Sequence, residues 1–225
     1  MVDLWVDLLP VLLAMMISPA RTLAVIILLH TPRSTVTALG YVAGMVSAMM
    51  VQGALFGAAM SLVGLTDDTR ADDLAVFLAA LFVIGGLVLL VGAFKIATAP
   101  AAGGGSLASL LDRLEHIDPS GAFKIGFGWL FASPKQWVFV LTAVAVVVEA
   151  DLRTIGSLAN FALFTILVQA VYFVVIAGYA AARQQVEPAL DNVFGWIKAN
   201  LRTAAIGLFS TFGVIFLIKG LTSLG

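Results

Sequence analysis

Two short, similar motifs place a proline and a cation in the middle of long apolar segments. They read Ser18-Pro19-Ala20-Arg21 and Ser133-Pro134-Lys135-Gln136. Proline lacks a backbone N–H, and its ring clashes with the carbonyl four residues earlier, so each motif predicts a broken or kinked helix. In hydrocarbon the freed carbonyls need partners, and the hydroxyls of Ser18 and Ser133 could help to supply them.

Arg21 and Lys135 are the residues that most strongly suggest a function. A cation near the centre of a membrane helix costs roughly 2.5–3.5 kcal/mol on the insertion scale. We find no Asp or Glu at the same depth, since the acids lie in connections or near helix ends. An anionic substrate group or a hydrated cavity would resolve this cost. The structural alternative is that either side chain caps freed carbonyls, or reaches Glu149 or a lipid phosphate.

Gln52 and Gln169 follow the two serines of these motifs by 34 and 36 residues, respectively. They could line the same cavity or hydrogen-bond between helices. Lys219 lies near the end of the last apolar segment, and we expect it to snorkel toward the membrane surface. The pattern contains no convincing catalytic residue, metal site or cofactor motif.

The glycines of the second apolar segment have the spacing of a helix-packing motif. Gly40 and Gly44 form one pair, and Gly53 and Gly57 form another, each separated by three residues. Small residues at this spacing let two helices approach closely within a membrane. Close packing inside the protein is the expectation, and a dimer face is the alternative.

The composition explains why such motifs must be positioned by membrane helices. Of 225 residues, 61% are hydrophobic and only 11% are charged, with a mean hydropathy of +1.08. A soluble domain carries about a quarter charged residues. The net charge of −1 offers no field for nucleic acid, and the absence of cysteine excludes thiol chemistry. The sequence therefore predicts an all-α integral membrane protein.

Six apolar segments are long enough to cross a bilayer. They cover residues 8–29, 36–63, 74–97, 122–148, 155–181 and 201–221. Because each half contributes three helices, the second half must be inverted relative to the first, which is a recurrent transporter design. We therefore predict six transmembrane helices as two inverted three-helix repeats, with helices 1 and 4 broken at Ser-Pro.

The predicted domain organisation is a single membrane domain in three parts. Residues 1–97 form the first repeat, residues 98–121 a cytoplasmic linker with a short amphipathic helix, and residues 122–225 the second repeat. A second amphipathic connector, with Trp196 beside its apolar face, covers residues 186–201. Both connectors are expected along the inner membrane surface, as structural links or in a lipid-gating role.

Lys and Arg in the connections predict the orientation. The connections that follow segments one, three and five lie on one side of the membrane and contain seven Lys and Arg residues. The connections on the other side contain only Arg70 and Arg153. The richer side is expected in the cytoplasm, which places both termini outside the plasma (inner) membrane.

Three stretches resemble a known family. They are Ser18-Pro19-Ala20-Arg21 with the later Leu28-Leu29-His30-Thr31-Pro32-Arg33, the run from Gly128 to Trp137, and Phe216-Leu217-Ile218-Lys219-Gly220-Leu221. Together they resemble the Sap/GAP family of sulfolipid- and glycopeptidolipid-addressing proteins, within the lysine-exporter superfamily. Family members often have Asn-Pro-Lys in helix four, where this chain has Ser133. The resemblance implies export or translocation of a cell-envelope lipid, so the expected substrate is a membrane lipid with an anionic headgroup. The expected protein partners are a second copy of the chain or proteins of envelope-lipid synthesis or export.

Paired cations at inverted breaks favour an anionic headgroup, so the predicted function is transport of an anionic amphiphile. One alternative is export of a small hydrophilic solute such as an amino acid, although a cationic one would need intramembrane acids. Metal efflux would need ligands inside the spans, whereas His30 and His116 lie in connections. A hydrolase would need a nucleophile beside a base, and no span contains a histidine. A non-transporting scaffold for lipid export or synthesis is the remaining alternative.

Overall fold

The structure is a bundle of helices. The computed structural model of the protein describes residues 2–31, 33–62, 71–98, 117–150, 152 and 154–223. In these ranges the chain forms helices and no strand. The helices are α1 (Val2–Met16), α2 (Pro19–Leu29), α3 (Ser34–Leu62), α4 (Ala71–Thr98), α5 (Pro119–Ala132), α6 (Pro134–Glu149), α7 (Thr154–Val168) and α8 (Ala170–Thr222).

Several helices are long and apolar enough to cross a membrane. Three do so as single helices, Ser34–Leu62, Val76–Thr98 and Ala199–Thr222. Three bent pairs pass the same test together, α1 with α2, α5 with α6, and α7 with α8 as far as Ile197, with bends of 56°, 77° and 54°. The described residues therefore contain three candidate spans, or up to six if each bent pair crosses as one unit.

The fifth apolar segment bends where no bend was predicted. The helix α7 ends at Val168, and α8 begins at Ala170. The backbone N–H of Gln169 bonds the carbonyl of Ile166 three residues back, which is tighter than α-helical spacing. Neither proline nor glycine lies within four residues of Gln169, so the bend has no local sequence signal.

The second amphipathic connector is part of the long helix α8. The backbone of α8 departs from helical geometry at Ala182, with φ −145° and ψ 53°. Further along, Leu190 and Ile197 are buried, whereas Trp196 is 61% exposed. The connector thus packs part of its apolar face on the protein and leaves Val193 and Trp196 exposed. The stretch of residues 99–105, the first amphipathic connector at 107–116 and the connection at 63–70 lie outside the described residues.

Glycines bring α3 and α5 into backbone contact. A Cβ added at Gly44 would lie 2.8 Å from the backbone nitrogen of Phe127, and one at Gly126 would meet the carbonyl oxygen of Tyr41. Gly40 likewise faces the backbone of α5. Real Cβ atoms do not approach this closely, so these positions need glycine. The expectation that Gly40 and Gly44 permit close packing inside the protein is confirmed.

A second glycine contact joins α4 to the C-terminal part of α8. A Cβ at Gly86 would lie 2.8 Å from the carbonyl oxygen of Gly213, and one at Gly220 would lie 2.8 Å from that of Ala79. Both helix pairs join the first half of the sequence to the second.

The two ends of the α1–α2 pair are each tied to α8 by charged side chains. The Nζ of Lys219 lies 2.7 Å from Oδ1 of Asp7 and 4.8 Å from the ring centroid of Phe82. At the opposite end, Nε2 of His30 lies 3.3 Å from Oδ1 of Asp191. Lys219 thus has a carboxylate partner on the first helix, and the expectation that it snorkels toward the membrane surface stays a prediction.

Candidate functional site

The bend between α1 and α2 exposes a carbonyl that Arg21 caps. Because Pro19 has no N–H, the carbonyl of Met15, four residues earlier, loses its helical donor. The Nη2 of Arg21 donates to that carbonyl, and the side chain is only 5% exposed. Ser18 between the helices is extended, with φ −139° and ψ 100°, and its side chain makes no capping bond.

The bend between α5 and α6 is capped in a parallel way by another side chain. Ser133 is extended there, with φ −81° and ψ 113°, and it too makes no side-chain capping bond. The indole N–H of Trp137 donates to the carbonyl of Phe131, six residues earlier. The separation between Arg21 and Met15 is also six residues. The expectation that the serine hydroxyls satisfy the freed carbonyls is wrong, because longer side chains reach them instead.

We expect Trp137→Phe to lower the free energy of unfolding by about 1 kcal/mol, because the Phe131 carbonyl then loses its donor while the aromatic packing is kept. Trp129→Phe is the matched control, since Trp129 makes no hydrogen bond within the described part of the chain. Thermal unfolding of the two detergent-solubilised variants measures the difference. Equal midpoints would show that the indole N–H does not stabilise the bend.

Only one arm of the buried Arg21 guanidinium is used for capping. Its Nη1 is buried and has no hydrogen-bond partner among the described residues. The ring centroid of Tyr172 lies 6.0 Å from its Cζ, and the Arg21 charge also acts on the Tyr41 hydroxyl. Both tyrosine hydroxyls are buried without a partner in the same ranges. This group of side chains therefore has several buried polar atoms that bond to no described residue.

Lys135 lies at the first turn of α6 and is half-buried. Its Nζ is 4.7 Å from the ring centroid of Phe209, which is a cation–π contact. No Asp or Glu of the described ranges pairs with it or with Arg21. The two cations are close enough to interact electrostatically. Their mutual repulsion would be relieved by an anion between them.

The predicted glutamines are all buried, and each has an unused polar atom. Gln52 has neither amide atom bonded, and Gln136 has its Nε2 unbonded. Gln169 directs its Nε2 toward Sδ of Met49 at 3.5 Å, and its Oε1 is unbonded. Thr165, one turn before Gln169, has a free buried hydroxyl as well. Buried polar groups are normally satisfied, whereas these side chains keep polar atoms that no described residue bonds.

Sequence reasoning missed three contributors to this interior. Tyr41 and Tyr172 surround Arg21, and Trp137 caps the second bend. One signal was present, because all three tyrosines of the chain, Tyr41, Tyr172 and Tyr179, lie within apolar segments. The structure brings Arg21, Lys135 and the two tyrosines together. Gln169 adjoins this group, because the backbone N–H of Tyr172 donates to its carbonyl at 3.0 Å.

These features define an all-helical, membrane-embedded protein with a cationic, donor-rich interior. A sequence profile of the family described as Sap, sulfolipid-1-addressing protein, matches residues 8–222. The chain belongs to this family. No curated protein and no solved structure matches it. The wider relationship to lysine exporters stays a prediction.

Proposed function

We propose that the protein is a multi-pass transporter of the plasma membrane that moves an anionic amphiphile, such as a cell-envelope lipid or glycolipid, by alternating access. The observation that carries this proposal is the state of Arg21, which is buried, half-used in hydrogen bonding and unpaired with any carboxylate in the described ranges. An anionic headgroup would satisfy it. Membership of a family named for a sulfolipid supports a lipid as the cargo.

The proposed topology treats each bent pair of helices as one span. This gives six spans in two inverted units, residues 1–97 and 122–225, with the first and fourth spans broken at Ser-Pro and both termini outside. In this arrangement α2 and α6 begin near the middle of the membrane, at Pro19 and Pro134. The N-terminal end of a helix carries a partial positive charge, which adds to the attraction of Arg21 and Lys135 for an anion.

In this proposal, different side chains bind different parts of the headgroup. Arg21 and Lys135 supply the charge, and the hydroxyls of Tyr41 and Tyr172 supply directed hydrogen bonds. The amides of the buried glutamines, Gln52, Gln136 and Gln169, would bind uncharged polar parts of the headgroup, and the free hydroxyls of Ser18 and Ser133 lie at the bends. The acyl chains would stay in the surrounding lipid. The proposal assigns no catalytic step, cofactor or metal.

The test compares Lys135→Gln with Lys124→Gln in proteoliposomes. The substrates are fluorescent lipids with a sulfate monoester or a zwitterionic headgroup. We expect the wild type to translocate the sulfated lipid faster, and Lys135→Gln to slow it about tenfold, because a charge-assisted interaction of roughly 1.5–3 kcal/mol is lost. Lys124 is exposed on α5, so its variant should keep the wild-type rate.

Two results would contradict the proposal. Equal rates for both lysine variants and the wild type would remove Lys135 from the site. If the wild type translocated neither lipid, and cells tolerated neutral residues at positions 21 and 135, the protein would be a scaffold for lipid export or synthesis instead.

A further inference from the structure

Among the described residues, two glycine-mediated helix contacts join one half of the sequence to the other. One of these contacts joins α3 of the first half to α5 of the second half, through Gly44 and Gly126. The second joins α4 of the first half to residues 199–222 of α8, through Gly86 and Gly213. We call these the α3–α5 pair and the α4–α8 pair.

Such contacts resist sliding and rocking. At Gly86 the facing atom is the carbonyl oxygen of Gly213, and at Gly213 the carbonyl oxygen of Gly86 lies 3.1 Å from an added Cβ. The side chains of Leu217 and Leu90 also lie 2.8 Å from the added Cβ atoms at Gly86 and Gly213, respectively, so backbone and side chains together fill this contact. A shift along the axis would bring the next, larger side chain against the opposite backbone, which close-packed interiors do not accommodate gradually.

Between the two pairs the contacts are made by side chains and by bent segments. The helix α5 belongs to the α3–α5 pair, but α6 leaves it at 77° after Ser133. From there α6 reaches the α4–α8 pair through the rings of Phe139 and Phe216, whose centroids lie 5.4 Å apart. Side chains can repack when helices shift, so the contact between α6 and α8 can open while α6 moves with α5.

We propose that the moving bodies of the protein are the α3–α5 pair together with α6, and the α4–α8 pair, and not the two sequence halves. This inference rests on the proposed transport function. The candidate site fits it, because Tyr41 and Gln52 lie on α3 of one pair, while the Lys135 Nζ contacts Phe209 on α8 of the other. Motion between the pairs would therefore change the surroundings of the site.

Two cross-links that share position 216 distinguish motion of these pairs from motion of the two sequence halves. Because the chain has no cysteine of its own, only the introduced cysteines would react. The double variant F82C/F216C joins α4 to α8, inside a pair but between the sequence halves. The double variant F139C/F216C joins α6 to α8 inside one half, and it links the two bodies because α6 continues from α5 and is proposed to move with it. Both ring pairs have centroids 5.4 Å apart, so one membrane-permeant reagent, dibromobimane, suits both.

We expect cross-linked F82C/F216C to translocate sulfated lipid at its uncross-linked rate, and cross-linked F139C/F216C to lose at least tenfold. The reverse result would overturn the proposal in favour of rocking halves. Inhibition of both would also overturn it, because the α4–α8 pair would then not move as a rigid body. Inhibition of neither would overturn it as well, because the α6–α8 contact would then not open during transport.

A milder variant covers the case in which replacing the buried Phe216 prevents folding. The Nη2 of Arg202 donates to the carbonyl of Ala97 at 2.7 Å, at exposed ends of the α4–α8 pair. Cross-linked A97C/R202C should keep its rate, and inhibition would overturn the proposal. Failure of the transport function itself would show differently, because the wild type without any cross-link would then not translocate the lipid.

Discussion

Gly44→Leu is expected to lower the free energy of unfolding by about 3 kcal/mol or more, which corresponds to a midpoint about 10 °C lower for a chain of this size. A side chain at Gly44 would meet the carbonyl of Phe123 and the backbone nitrogen of Phe127. Neither atom can rotate away, so α3 and α5 would have to separate along their whole contact. Thermal unfolding in detergent, followed by size-exclusion chromatography, measures the loss.

Gly57→Leu is the control for this substitution on the same helix. A Cβ at Gly57 would have no heavy atom within 4 Å among the described residues. Leucine also has a higher helix propensity than glycine, by up to about 1 kcal/mol. The Gly57 variant should therefore be as stable as the wild type or more stable. Similar losses for Gly44→Leu and Gly57→Leu would mean that glycine itself, and not the contact with α5, stabilises α3.

Arg21→Gln is expected to reduce translocation of a sulfated lipid by well over tenfold and to reduce stability as well. The stability loss is roughly 1.5–3 kcal/mol, because the buried carbonyl of Met15 loses a charged donor. The transport loss comes from the free Nη1 arm and its charge. Rates in proteoliposomes and unfolding midpoints with and without sulfated lipid separate the two effects, since a bound ligand stabilises only a protein that binds it.

Arg21→Lys separates charge from geometry. Lysine keeps the charge but presents a single ammonium group in place of a planar fork. It cannot cap Met15 and reach a ligand on the other side in the way that Nη2 and Nη1 do. We expect an intermediate rate for this variant. An Arg21→Gln variant that is less stable yet transports at the wild-type rate would reduce Arg21 to a structural cap.

The course of the helices was largely predictable from the sequence because it depends on local patterns. The apolar segment at 36–63 corresponds to α3 (Ser34–Leu62), and the segment at 74–97 lies within α4 (Ala71–Thr98). Bends lie at Pro19 and Pro134, where the missing N–H predicted them. Whether each bent pair crosses the membrane as one inverted span stays a prediction.

The candidate site was less predictable because its members meet only through space. No proline near Gln169 predicts the bend there. Tyr41, Arg21 and Tyr172 are far apart in the sequence, so no local pattern predicts that they interact. The partner of Lys219 is Asp7, 212 residues away in the chain. Charge and burial can be read from residue types, but the choice of partner depends on tertiary packing.

The backbone contacts at Gly86 and Gly126 also restrict how a lipid could enter from the side. Where two helices touch through their main chains, the seam between them is too narrow to admit an acyl tail. An acyl tail therefore cannot pass from the bilayer into the protein between α3 and α5 or between α4 and α8. In the proposed mechanism, an acyl tail would therefore have to pass between other helices, and the bends at Ser133 and Gln169 are the places to look for that opening.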